Sequence, residues 1–279
     1  YVYVYVYVYV YVYGHANICT AIAMFIEGAG ESTLAEALPI VSIDVSLCTF
    51  GNATVMGGQN LAGGGALLLA AGNGMDEVRA RVYACMFQDT QLSGYNAFGG
   101  GLGAILLGGI TDAYFDFVFN LFSDIILTSQ DGAGGGMSVT LARDHENLYL
   151  DVSGNSFLRC FCTLMGEGGG GGFALSVAGQ SSISSISANI ESNSFMKCNA
   201  TVLEGGGGGM AMVLFNREFT TTGSSLGYAV VLDATVIMGG NSFTYNGATV
   251  LYGAGGGGAV LFMRYLFESQ ARWRWRHGD

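Results

Sequence analysis

Asp112 and Asp116 lie four residues apart, and Asp44, Arg81, Asp116 and Asp151 recur at one place in a repeated pattern. Paired carboxylates at a defined separation are what glycoside hydrolysis requires. Carboxylates around a bound calcium with a basic residue nearby would suit a polysaccharide lyase. The basic side is nearly empty here: one Lys (Lys197) serves the whole chain, and among the aligned acids only Arg81 is basic. The three His residues (His15, His145, His277) are scattered, so neither a metal centre nor a nucleophilic triad is expected. The Gly clusters lack the Lys-Ser/Thr of a phosphate-binding loop. The chain therefore reads as non-catalytic and without a cofactor.

The composition narrows the class. The chain has 279 residues with 46 Gly, one Pro, 51% apolar residues and 11% charged residues. Disorder needs few apolar residues and many charges, so it is excluded. Gly does not recur every third residue, which excludes collagen. A net charge of −11 repels phosphate backbones, so nucleic acid is an unsuitable partner. The most apolar stretch, residues 97–110, is broken by Gly and shorter than the ~20 residues of a membrane-spanning helix. No membrane span is expected.

What must position the polar residues is a repeat. Phe50, Phe87, Phe122, Phe157, Phe195 and Phe243 are spaced by 37, 35, 35, 38 and 48 residues, and a Gly cluster follows each. Five, seven and nine residues before each Phe the side chains are apolar: Val45, Ile43 and Val41 in the first copy, Val152, Leu150 and Leu148 in the fourth. Polar residues alternate with them, which is the period of a half-buried strand and not of a helix. A second strand follows Phe, with a polar column of Ser93, Thr128, Thr163, Thr201 and Thr249. A third follows the Gly cluster. The pattern predicts an all-β, single-stranded, right-handed parallel β-helix of about seven coils, 35–48 residues and three short strands each, over residues 14–267. Residues 1–13 form an extended Tyr-Val arm, and 268–279 a tail. Two residues before Phe stand Asn120, Asn155, Asn193 and Asn241, read as a turn ladder in which Asn takes left-handed backbone geometry and bonds from coil to coil.

Phe243 to Asn246, followed by Gly255-Gly-Gly-Gly-Ala-Val-Leu, resembles the repeat of chlamydial polymorphic outer membrane proteins. Phe157 and Phe195 begin a variant with Cys in place of the Asn. The resemblance covers roughly residues 15–265. It implies a right-handed β-helical passenger at a cell surface, and the C-terminal barrel of that family has no counterpart in this sequence.

The alignment gives the other residues places. Cys48 with Cys85, and Cys160 with Cys198, fall in shared columns of adjacent coils. Stacked Cα atoms about 4.8 Å apart are within the ~4.4–6.8 Å range for a disulfide, so both pairs are candidate staples. Cys19 and Cys162 remain unpaired in this scheme. The sequons at Asn52 and Asn199 are assigned to one outward column as glycosylation candidates. Asp131, Glu167 and Glu204 form an acidic column, a weak calcium candidate. The expected role is a structural subunit of an extracellular filament or cell-surface layer, self-assembling end to end or by strand addition from the Tyr-Val arm. An adhesin or glycan-binding passenger is the alternative, and a polysaccharide lyase or hydrolase comes after it.

Overall fold

The computed structural model describes residues 3–11, 21–29, 40–57, 61–72, 75–177, 181–214, 230–254 and 256–261. They form an all-β solenoid of about five turns, with no helix among them. Each turn crosses three sheets. The six-stranded sheet stacks Ile40–Ser46, Met75–Tyr83, Ile110–Val118, His145–Ser153, Ser182–Glu191 and Val230–Gly239, all parallel. An 11-stranded sheet carries the anchor Phe residues and includes Met86–Phe98, Leu121–Ala133 and Ser156–Leu164. The eight-stranded sheet contains Leu102–Leu106, Met137–Leu141 and Phe173–Val177.

The Phe alignment holds at every step. Phe50, Phe87, Phe122, Phe157, Phe195 and Phe243 are register partners, with successive ring centroids 4.8–4.9 Å apart and planes within 5°. The alternation before Phe holds too: Val45, Val82, Phe117, Val152 and Ile190 are buried, while Met238 in the last of these rungs is half-buried. Asp151 and Asn189, one residue earlier, are half-exposed.

The Gly clusters have a steric explanation. One position in each, Gly64, Gly99, Gly134, Gly170 and Gly207, has φ of +57° to +77°, a region open to Gly at no steric cost. From Gly101 onward the last position, two residues after the left-handed one, meets the Phe of the following coil, and in the coil before it Ala66 takes that place. A Cβ on Gly136 would stand 2.9 Å from Phe157 Cδ1, and one on Gly172 2.7 Å from Phe195 Cδ1. Glycine thus clears the floor on which the Phe column rests.

The eight-stranded sheet is buried on both faces. Met137, Val139 and Leu141 enter the main core; Ser138 and Thr140, of opposite parity, are equally buried. Gly-rich chain folds over that second face: a Cβ on Gly63 would collide with Ile105 Cδ1. A small second core of Phe98, Ala133, Ala142, Ala174 and Ala211 fills the space. Thr140 and Ser176 satisfy each other at 2.9 Å.

The Tyr-Val strand Tyr3–Tyr11 lies antiparallel on Ala21–Ala29 of its own chain, in continuous register from Tyr3 with Ala29 to Tyr11 with Ala21. Pairing within one chain avoids the translational and rotational entropy lost on association. It places an antiparallel strand at the end of an otherwise parallel sheet. The tail 268–279 and the domain boundary at residue 267 lie outside the described residues.

Gly136→Ala tests the seat beneath the rings. The added methyl meets Phe157, Cys160 Sγ and the Gly172 carbonyl at 2.8–3.1 Å. Overpacking of this kind costs about 1–3 kcal/mol, so chemical denaturation should show a midpoint lowered accordingly. An unchanged midpoint would mean the rings do not rest on this position.

Candidate functional site: the turn ladder and the outer face of the six-stranded sheet

The Asn column is a continuous hydrogen-bond ladder. Asn155 Oδ1 accepts from the Asn120 backbone N–H at 2.8 Å and from Asn120 Nδ2 at 3.1 Å. Asn155 Nδ2 donates to the Phe117 carbonyl at 2.7 Å. Asn193 and Asn241 repeat both contacts one coil on. The left-handed residue is not the Asn but the one before it: Phe119, Gly154, Ser192 and Gly240 have φ of 56° to 65°. Asn is needed here for its paired donor and acceptor, which satisfy buried turn groups that the strands leave over.

The cysteines of the two candidate pairs belong to such ladders, and no disulfide joins the described ones. Cys48 with Cys85 and Cys160 with Cys198 share columns as expected, yet Cys48, Cys85, Cys160, Cys162 and Cys198 are all free thiols. The thiols stand in for Asn. Cys85 Sγ accepts from the Cys48 N–H at 3.4 Å and donates to the Val45 carbonyl at 3.5 Å, while the Cys85 N–H is held by Asn120 Oδ1 at 2.9 Å. A second ladder starts three residues after Phe, where Asn246 Oδ1 accepts from Cys198 N–H at 2.7 Å. Burial pushes the Cys85 thiol up to about 11 and the Cys162 thiol up to about 12, and it raises Cys160 as well. Protonated thiols are poor nucleophiles. Cys19 lies outside the described residues.

The two sequons do not share a column. Gly51 pairs with Gln88 and Thr54 with Gln91, so Asn52 stands beside Asp89. That column continues through Asp124, Arg159, Lys197 and Tyr245, each left-handed with φ of 53° to 55°. Asn199 lies two residues further along, between Phe161 and Gly247. The Ala that follows each sequon Asn suggested a shared column, but Ala53 lies beside Thr90 and Ala200 beside Cys162, in agreement with Asn52 standing two residues after its Phe and Asn199 four. Asn52 is exposed and Asn199 half-buried. In the Asn52 column, Arg159 grips Asp124 with two hydrogen bonds of 2.5 and 2.6 Å, and this pairing lowers the Asp124 carboxyl below its usual range.

The acidic column is real but not a calcium cage. Asp131, Glu167 and Glu204 are neighbours in register. Asp131 is buried and its Oδ1 accepts the Glu167 backbone N–H at 2.7 Å. Among the described residues no group of three or more His, Cys, Asp or Glu converges where one cation could be held.

The outer face of the six-stranded sheet gathers the residues that a sugar-acting enzyme would need. Arg81 lies 3.4 Å from Asp116 and 4.0 Å from Asp44. Burial and the neighbouring Asp151 raise the Asp116 carboxyl, against the pull of Arg81. Asp112 accepts from Asn147 Nδ2 at 2.9 Å, and Asp151 from Asn189 Nδ2 at 3.3 Å. Each carboxylate is thus engaged by the neighbouring rung. Between the Asp112 and Asp116 columns runs a row that the sequence reading passed over. Tyr114 and Tyr149 stack at 4.6 Å, Arg79 caps Tyr114 at 5.2 Å, and Arg79 also pairs with Glu77. Reading eight residues before each Phe would have found it.

No protein-family model, no curated protein and no solved structure matches the chain.

Two outcomes follow from the buried columns. Cys85→Asn supplies the missing amide between Cys48 and Asn120, and should raise the unfolding free energy by about 0.5–1.5 kcal/mol; a loss of stability would contradict the ladder. His145 is buried with Nε2 3.2 Å from the Ala142 carbonyl, and burial lowers its basicity from 6.5 despite nearby Asp144. The unfolded chain therefore binds more protons below pH 6.5, so stability falls as pH drops through that window. Comparing His145→Leu with the native chain by denaturation from pH 7 to pH 5 should show a shallower decline in the variant.

Proposed function

We propose that this chain is a non-catalytic structural subunit of an extracellular filament or cell-surface layer, built by solenoids stacked end to end. We take the winding as right-handed and the coil count as seven, an incomplete first coil included. The observation that carries the reading is the state of the strand edges. Among the described residues, Ile40–Ser46, Val230–Gly239, Gly247–Ala254 and Gly258–Leu261 each pair on one side only. Parallel edges with unpaired N–H and C=O groups accept another strand unless blunted, and the chain has one Pro and one Lys for that purpose. Contacts between unlike ends are heterologous and propagate as open filaments. Glycans on Asn52 would sit on an exposed turn beside the stacking path.

The antiparallel Tyr3–Tyr11 strand covers the edge of Ala21–Ala29 and presents the wrong direction for parallel stacking. It acts as a brake on assembly at that end. Negative-stain microscopy tests both points. The intact chain should form filaments, and removal of residues 1–13 should lengthen them or lower the concentration at which they form. Monodisperse rods from both proteins would overturn the filament reading. Loss of filaments on truncation alone would show that the arm connects subunits.

A further inference from the structure

The tyrosine row on the six-stranded sheet ends in a notch. Along one outward column the rungs read Arg79, Tyr114, Tyr149, Ser187 and Thr235. Arg79 covers one face of Tyr114, and Tyr149 stacks on the other. The remaining face of Tyr149 looks along the column over Ser187, whose exposed side chain is too short to cover a ring. Tyr149 accordingly stays 41% exposed. Rungs are about 4.8 Å apart, so the gap from Tyr149 to Thr235 spans about 9.6 Å. That admits one saturated ring stacked on the tyrosine.

The flanks of the notch are polar and short. On one side stand Asp151 and Asn189, joined at 3.3 Å. On the other stand Asn147 and Ser185, register partners of each other. A carboxylate acceptor, two amides and two hydroxyls therefore surround an open aromatic face. An aromatic wall with a few convergent polar groups is how small-ligand sites fix orientation.

We propose that this notch binds one sugar unit of a neutral oligosaccharide. A pyranose has a C–H face that packs on a tyrosine ring and a rim of hydroxyls that both donate and accept. The chemistry around the notch selects against anionic ligands. Asp151 borders it, Asp112 and Asp116 lie within the same face, and Asp233 is exposed on the far rung. Phosphate, sulfate and uronate groups would meet carboxylates with no Lys or Arg on the rungs of Tyr149, Ser187 or Thr235. Tyr149, Ser187, Asp151, Asn189, Asn147 and Ser185 lie on inner rungs of the sheet, and only Thr235 belongs to the edge strand Val230–Gly239.

The test is an array of neutral and acidic oligosaccharides probed with the full chain. Titration calorimetry of any neutral hit then compares native protein with Tyr149→Ala and Ser187→Tyr. Ser187→Tyr continues the tyrosine stack and fills the notch without opening the core, so its melting temperature should not fall. Both variants should weaken a neutral hit about tenfold or more, the equivalent of one lost stacking contact. Tyr149→Phe keeps the ring face and should retain most of the affinity. Binding of acidic oligosaccharides alone, no neutral hit, or unchanged affinity in folded Ser187→Tyr would each overturn the assignment.

Discussion

The stacked coils of this solenoid depend on a contact between a ring and a missing side chain, with Ala66 the one small side chain in that column. The anchor Phe rings repeat at 4.8–4.9 Å, which is the spacing of hydrogen-bonded strands. Rings can lie flat at that separation only if the chain that closes the coil leaves room beneath them. Gly101, Gly136, Gly172 and Gly209 leave it, each with a would-be Cβ within 3.2 Å of the next ring. The Phe column and the Gly column are therefore one constraint. Only Ala66 departs from Gly in that column, and together the two columns tie the eight-stranded sheet to the 11-stranded one.

The corners obey a different rule. Strand ladders satisfy the backbone along the faces, but turns leave N–H and C=O groups buried with no ladder partner. The Asn side chain answers both needs at once, taking an N–H from one coil and giving an N–H to a carbonyl. Where Cys occupies the same position the geometry persists with longer contacts of 3.4–3.5 Å through sulfur. This explains how cysteines can be stacked and still unbonded. Their place in the column is that of a hydrogen-bonding rung, and burial raises the Cys85 and Cys160 thiols.

With core and corners satisfied internally, the outer faces are free to vary. The six-stranded sheet uses that freedom most, with an ionic column around Arg81, a tyrosine row beneath Arg79, and a run of Ser and Asn on the rung after Tyr149. The 11-stranded sheet carries instead an exposed rank of Thr128, Thr163, Thr201 and Thr249. A stack of identical rungs thus becomes a set of distinct surfaces, and ligand chemistry belongs to the faces while assembly belongs to the ends.

Period and spacing by themselves determined the strand class, the Phe register, the inward columns from Val45 to Met238 and the Asn ladder. These are properties of a one-dimensional repeat, where each coil meets only its neighbours and alignment is equivalent to contact. Tertiary structure decided whatever depended on bulges, direction or competing partners. Asn52 and Asn199 looked equivalent because an Ala follows each, but the register places the two Ala residues in columns two places apart. The Tyr-Val alternation specified a strand without saying which edge it joins, and the fold turned it back on Ala21–Ala29. Shared columns brought the cysteines together, yet only the surrounding hydrogen bonds could show what the thiols were engaged in. The Tyr149 face was invisible for the same reason: its exposure depends on Ser187, 38 residues away in sequence and one rung away in space.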